Sequence, residues 1–211
     1  MRNRSSSRLI LYETRLPSAK SKLHCKDAGV VRKQELTVAH AASPQTKISV
    51  YMRDKASIKP WVGADAKALA GQMFAWIGIS LEWGIGKPAV EASQPPIFID
   101  LVGNTPAKLR PGAMAYTQPC NGPHVTVFYD RIDHSSKPDR VLAHVMVHEI
   151  AHVLQGVCRH SDSGIMKTQW SPWDLREMSF KTLQFSREDV GLIYLGLAVR
   201  MTGTSVVESG R

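Results

Sequence analysis

Five consecutive residues carry the most specific chemistry in this sequence: His148-Glu149-Ile150-Ala151-His152. On a helix, residues four apart lie one turn apart on one face, with Cβ atoms about 5–6 Å apart. Two imidazoles placed that way can both reach one Zn²⁺ at about 2.0–2.1 Å. Glu149 stands one residue past the first His and three before the second. Its carboxylate can flank the ion without ligating it, where a general base for an attacking water belongs. A motif this short recurs by chance, so its setting must support it.

The setting is a helix expected from Lys137 to Gln155. Ser136 offers an N-cap, Pro138 sits in the first turn, Asp139 follows Ser136 by three, and Gly156 ends the run. Val141, Leu142, Val145, Met146, Val147, Ile150, Ala151, Val153 and Leu154 cover most of its circumference, so the helix is expected to be buried rather than amphipathic. Two His and a Glu inside it would each cost several kcal/mol if unpartnered. A divalent cation satisfies all three together. The plainer alternative is core histidines bonded to backbone. His144 extends the stripe to i, i+4, i+8, but a straight helix cannot set three imidazoles around one ion at good angles. His144 is therefore expected to be a core or supporting residue.

A third ligand must come from beyond the helix. Gly156 permits the left-handed turn that reverses the chain, so His160 can swing back toward the ion. Cys158 is the competing donor, although a thiolate suits a hydrolytic site less well than a third imidazole.

The elements that must position these residues are readable in outline. Residues 1–45 read as a basic arm without sustained periodicity, and residues 46–211 as one domain. Lys47–Met52 alternates like a strand, Asp65–Ile77 has helical spacing ended by Gly78, and Ile79–Trp83 reads as a second strand. That order implies a crossover and a parallel pair. Ile97–Val102 and Val125–Tyr129 are further strands, and Gly112–Tyr116, between Pro111 and Pro119, is an edge strand. After Gly156 the chain reads as irregular through Trp170, Pro172 and Trp173. A last helix is expected from an N-cap at Ser186, with Glu188 and Asp189 in its first turn, through Leu197.

The stretch His148–Met166, HEIAHVLQGVCRHSDSGIM, resembles the metzincin zinc peptidases and, within them, the matrixin-like branch. Their pattern is HExxHxxGxxH followed by a turn bearing a Met. The resemblance implies an α+β fold: a twisted mixed sheet, an antiparallel edge strand above the cleft, an active-site helix and a C-terminal helix. It implies His148, His152 and His160 as ligands of one catalytic Zn²⁺, Glu149 as general base, and Met166 as the Met beneath the metal. Ser161, after the third His, is also matrixin-like. The spacing here is HExxHxxxGxxxH, two residues longer, and in strict register the third ligand position falls on Cys158.

The expected function is that of a zinc-dependent endopeptidase acting on a protein or peptide substrate through metal-activated water. Three rivals stand beside it. A gluzincin-like hydrolase would use a carboxylate such as Glu177 or Glu188 as third ligand. A zinc-stabilised binding module would not be an enzyme. A nucleic-acid binder would use the arm.

Composition narrows these. The 211 residues are 43% apolar and 21% charged, as in an ordinary globular protein, and no apolar run is long enough to span a membrane. The net charge is +9, but residues 1–34 hold nine Lys and Arg against Glu13 and Asp27, a net of +7 that leaves +2 for residues 35–211. No nucleic acid is therefore expected as partner, and the expected assembly is a monomer. Three cysteines fit neither a disulfide scaffold nor a CxxC metal site. Cys120–Cys158 is a conceivable bridge, and Cys25 lacks most of the propeptide motif that keeps some matrixins latent. No signal peptide is visible, although similar peptidases are mostly exported. The compartment is left open.

Overall fold

The computed structural model describes residues 46–86, 95–109, 112–117 and 122–201, with the backbone of a two-residue strand, β1 (Leu9–Ile10). The rest of the expected arm, Cys25 included, lies outside the described residues, and so does Cys120 in the stretch between 117 and 122.

Five strands form the main sheet. β2 (Thr46–Lys55) runs parallel to β3 (Ile79–Gly84) on one side and to β4 (Ile97–Val102) on the other. β4 is parallel to β6 (His124–Phe128), and β5 (Ala115–Thr117) closes the edge antiparallel to β6. The order is β3-β2-β4-β6-β5. One face is the core: Ile48 and Val50 of β2, Ile97, Ile99 and Leu101 of β4, and Val125 and Val127 of β6 are buried. The alternate residues face the other way, where Phe98 stacks on His124 at 4.9 Å and Asp100 accepts from Arg53 and Lys55. Period-two alternation thus gives a sheet covered on one face. The expected mixed sheet is present, with strand ends shifted by a few residues. Tyr129, expected at the end of a strand, instead opens a 3₁₀ turn (Tyr129–Arg131).

α1 (Pro60–Ala75) carries the chain from β2 to β3. It begins five residues before the expected Asp65, because Pro60 at its first position needs no N–H partner and presets φ. Val62, Ala66, Ala70, Met73 and Phe74 form its buried stripe, against the sheet and α2.

α2 (Pro138–Gln155) lies across the core, and every residue from Val141 to Gln155 is buried. Its N-cap is Lys137, with no side-chain cap, so Ser136 does not serve as the expected cap: Pro138 itself sets the start. Gly156 ends it at φ 67, its N–H donating to the His152 carbonyl at 3.0 Å.

The chain beyond is more regular than expected. β7 (Gln169–Trp170) pairs antiparallel with β1, and α3 (Pro172–Met178) follows behind a capping box of Ser171 and Asp174. α4 (Arg187–Met201) then packs on α2. Gly196 permits that approach, since a Cβ there would strike the Leu154 carbonyl oxygen. No described helix is long and apolar enough to cross a membrane.

Candidate metal centre

The two histidines of α2 meet as their spacing requires. The Nε2 atoms of His148 and His152 are 3.0 Å apart, and the Nε2 of His160 is 3.3 Å from that of His152. Among the described residues these three form the one group of donor atoms suited to a metal ion, all lying within 4.8 Å of one another. The left-handed turn at Gly156 brings His160 back to the helix.

Hydrogen bonds fix which nitrogen of each ring faces inward. The Nδ1 of His148 lies 2.8 Å from the Ile165 carbonyl oxygen, and that of His152 lies 3.4 Å from the Val157 carbonyl oxygen. A carbonyl only accepts, so in each neutral ring Nδ1 carries the hydrogen and Nε2 a bare lone pair. Two lone pairs therefore point at each other across 3.0 Å with no proton between them. A cation removes that conflict. Two nitrogens each about 2.0–2.1 Å from one tetrahedral ion stand about 3.3–3.4 Å apart, close to the separations seen here. The donor set fits zinc.

The loop after His160 completes the support. The Ser161 N–H donates to the Met166 carbonyl at 2.8 Å, closing a turn that buries Ile165 and Met166. Trp170 packs edge-on to the His148 ring, with centroids 5.8 Å apart. Glu149 is buried in α2 and is not one of the three donors. Cys158 is exposed and lies outside the group. Glu177 and Glu188 are engaged elsewhere, with Lys181 and Arg159 at 2.6 Å each.

No protein-family model matches this chain, and no curated protein matches it by sequence. Solved structures do match. The archaemetzincin of Methanopyrus kandleri superposes with a TM-score of 0.51 at 13% identity, over 75% of this chain and 99% of that one. A zinc-dependent peptidase from Methanocorpusculum labreanum gives 0.47 at 13% identity, over 69% of this chain and 99% of that one. The fold is metzincin-like.

In this metzincin-like frame, burial governs the ring charges. It pushes the His148 imidazole well below its ordinary 6.5, with the neighbouring His152 adding to the effect. Burial, then His160, lowers His152 to about 4, against opposing contributions from the Val157 carbonyl and the Asp189 carboxylate. Burial also lowers His160. The site thus presents neutral imidazoles, the form a metal binds.

His144 is the supporting residue that its place on the stripe suggests. Its Nδ1 donates to the Arg140 carbonyl oxygen at 2.7 Å, and its Nε2 accepts from the Leu183 N–H at 3.1 Å. Four further contributors have no sequence signal that ties them to the site. Two are the carbonyls of Ile165 and Val157, which orient rings and leave no side-chain signal. The other two are Arg159 and Asp189. The box Ser186-x-x-Asp189 was visible, but its link to the loop around His160 spans about thirty residues.

Proposed function

We propose that this chain is a zinc-dependent endopeptidase, with His148, His152 and His160 as ligands of one zinc ion and Glu149 as general base. The observation that carries this reading is the pair of inward Nε2 lone pairs held 3.0 Å apart in a buried helix, with a third imidazole beside them. The metzincin-like fold supports it as a frame. The matrixin-like branch within that frame is drawn from the sequence His148–Met166, Ser161 included.

When bound, zinc supplies Lewis acidity, acidifying water at the site and polarising the scissile carbonyl. The chain's own residues do the rest. The Ile165 and Val157 carbonyls hold the His148 and His152 rings in the tautomer that points Nε2 inward. The Glu149 carboxylate accepts the proton of the attacking water and delivers it to the leaving amine. Met166, buried in the turn after His160, supplies an apolar floor. β5, at the sheet edge, offers backbone groups to an extended peptide, which would bind as an added strand.

Cleavage of an unfolded protein by the purified chain tests the reading. Cleavage should stop with a zinc chelator, return with zinc, and be lost in Glu149→Gln while zinc is retained. Absence of any chelator-sensitive cleavage in zinc-loaded wild type favours the zinc-stabilised binding module instead.

A further inference from the structure

His160 is the one proposed ligand outside α2, and it lies on a loop longer than the compact spacing of the pattern it resembles. A longer loop has more conformations to lose before its imidazole reaches the ion. Both residues flanking His160 are tied down, and to one place. The Ser161 hydroxyl donates to Asp189 Oδ1 at 2.5 Å. Arg159 reaches the same oxygen through Nη1 at 3.4 Å and Glu188 through Nη2 at 2.6 Å.

The Asp189 carboxylate, 1% exposed, divides its two oxygens between two tasks. Oδ2 accepts from the Ser186 N–H at 2.9 Å and from its hydroxyl at 2.7 Å, closing the cap of α4. Oδ1 is left for the His160 loop. The Asp189 carbonyl also accepts from Gln155 Nε2 at 3.4 Å, tying the same turn to the end of α2. The first turn of α4 is thus joined to the helix bearing two of the imidazoles and to both neighbours of the third.

We propose that the first turn of α4 is the positioning element of the three-histidine site: Asp189, acting through Ser161 and Arg159, sets the metal affinity and coordination geometry by holding His160. Glu188 reinforces this through Arg159. None of these residues touches the ion; each acts through the backbone of the loop. The inference rests on the proposed zinc site and deepens it.

The test uses the full chain: wild type, Ser161→Ala, Ser161→Thr, Arg159→Ala and Asp189→Asn. Zinc affinity is read by competition with a chromophoric chelator. Coordination is read from the visible absorption of the cobalt-substituted protein, which is intense for four-coordinate and weak for six-coordinate ions. Ser161→Ala and Arg159→Ala should each weaken zinc binding about tenfold, the size typical of lost outer support around a metal. The cobalt band should weaken, and the melting temperature of the zinc-free protein should stay near that of wild type. Ser161→Thr keeps the hydroxyl and should restore both readouts. Asp189→Asn should weaken zinc binding at least as much as Ser161→Ala, and adding Arg159→Ala should weaken it further, because the Glu188 contact is then lost as well. Wild-type affinity and an unaltered cobalt spectrum in Ser161→Ala and Arg159→Ala would overturn the inference and leave the zinc site standing. A wild type that binds neither zinc nor cobalt would overturn both.

Discussion

Two buried histidines, one turn apart on α2, end differently. His144 and His148 share a stripe, lie in the same core and pack edge-on against the same Trp170. Burial lowers both, His144 to about 4 and His148 well below 6.5. They differ in the second nitrogen. His144 has protein partners on both, the Arg140 carbonyl and the Leu183 N–H. His148 has the Ile165 carbonyl on one, while the other faces a second imidazole. Burial and a shifted pKa therefore do not distinguish a structural histidine from a proposed ligand. The partner of the remaining nitrogen does.

The contrast can be broken at its strongest point first. Replacing His148 with Ala should reduce bound zinc to background and abolish cleavage, whereas His144→Ala should retain both. Equal zinc loss in the two variants, measured by elemental mass spectrometry, would erase the distinction. Glu149→Gln separates metal binding from chemistry. Zinc should stay, while kcat falls by about 10²- to 10⁴-fold, the usual contribution of a general base.

The structural member has its own signature. His144→Ala leaves the Leu183 N–H without its acceptor, a loss of about 1–3 kcal/mol. In a chain of this size each kcal/mol lowers the melting temperature by about 2–4 °C. An unchanged melting temperature in the zinc-free protein would remove His144 from the support of the core.

A further effect is in pH. His144 is neutral when folded and its pKa is depressed to about 4, while the unfolded chain titrates near 6.5. Between those values the unfolded state binds the extra proton, so stability falls as pH drops from about 6.5 toward 4. His148 and His152 contribute in the same direction. Replacing His144 with Gln should therefore flatten the slope in part, visible as a difference between wild-type and variant denaturation curves across that window. Parallel curves would contradict a neutral, buried His144.

Much of this arrangement was written locally. Pro138 and Gly156 bound α2, the spacing of His148 and His152 set two donors on one face, and the apolar run between them announced burial. Ile97–Val102 was readable to the residue because its alternation lies between a Pro pair and a Gly. α3 has only a local mark in the sequence, the capping box of Ser171 and Asp174. Its seven residues are too few to show a helical stripe, and Trp170, Pro172 and Trp173 read as breaks. The start of α1 lies outside the helical spacing of Asp65–Ile77, because Pro60 rather than an apolar stripe sets its first turn. What sequence could not carry is contact across distance. Nothing near Leu183 says that its N–H caps His144, and nothing near Arg159 says that it meets Glu188 and Asp189.

On the proposed reading, His160 completes a zinc site with the two imidazoles of α2. Metal content per chain, measured by elemental mass spectrometry on wild type, His160→Ala and Cys158→Ala, tests it most directly. One zinc in wild type and in Cys158→Ala, with loss in His160→Ala, is the predicted result. Undiminished zinc in His160→Ala, or none in wild type, would contradict it.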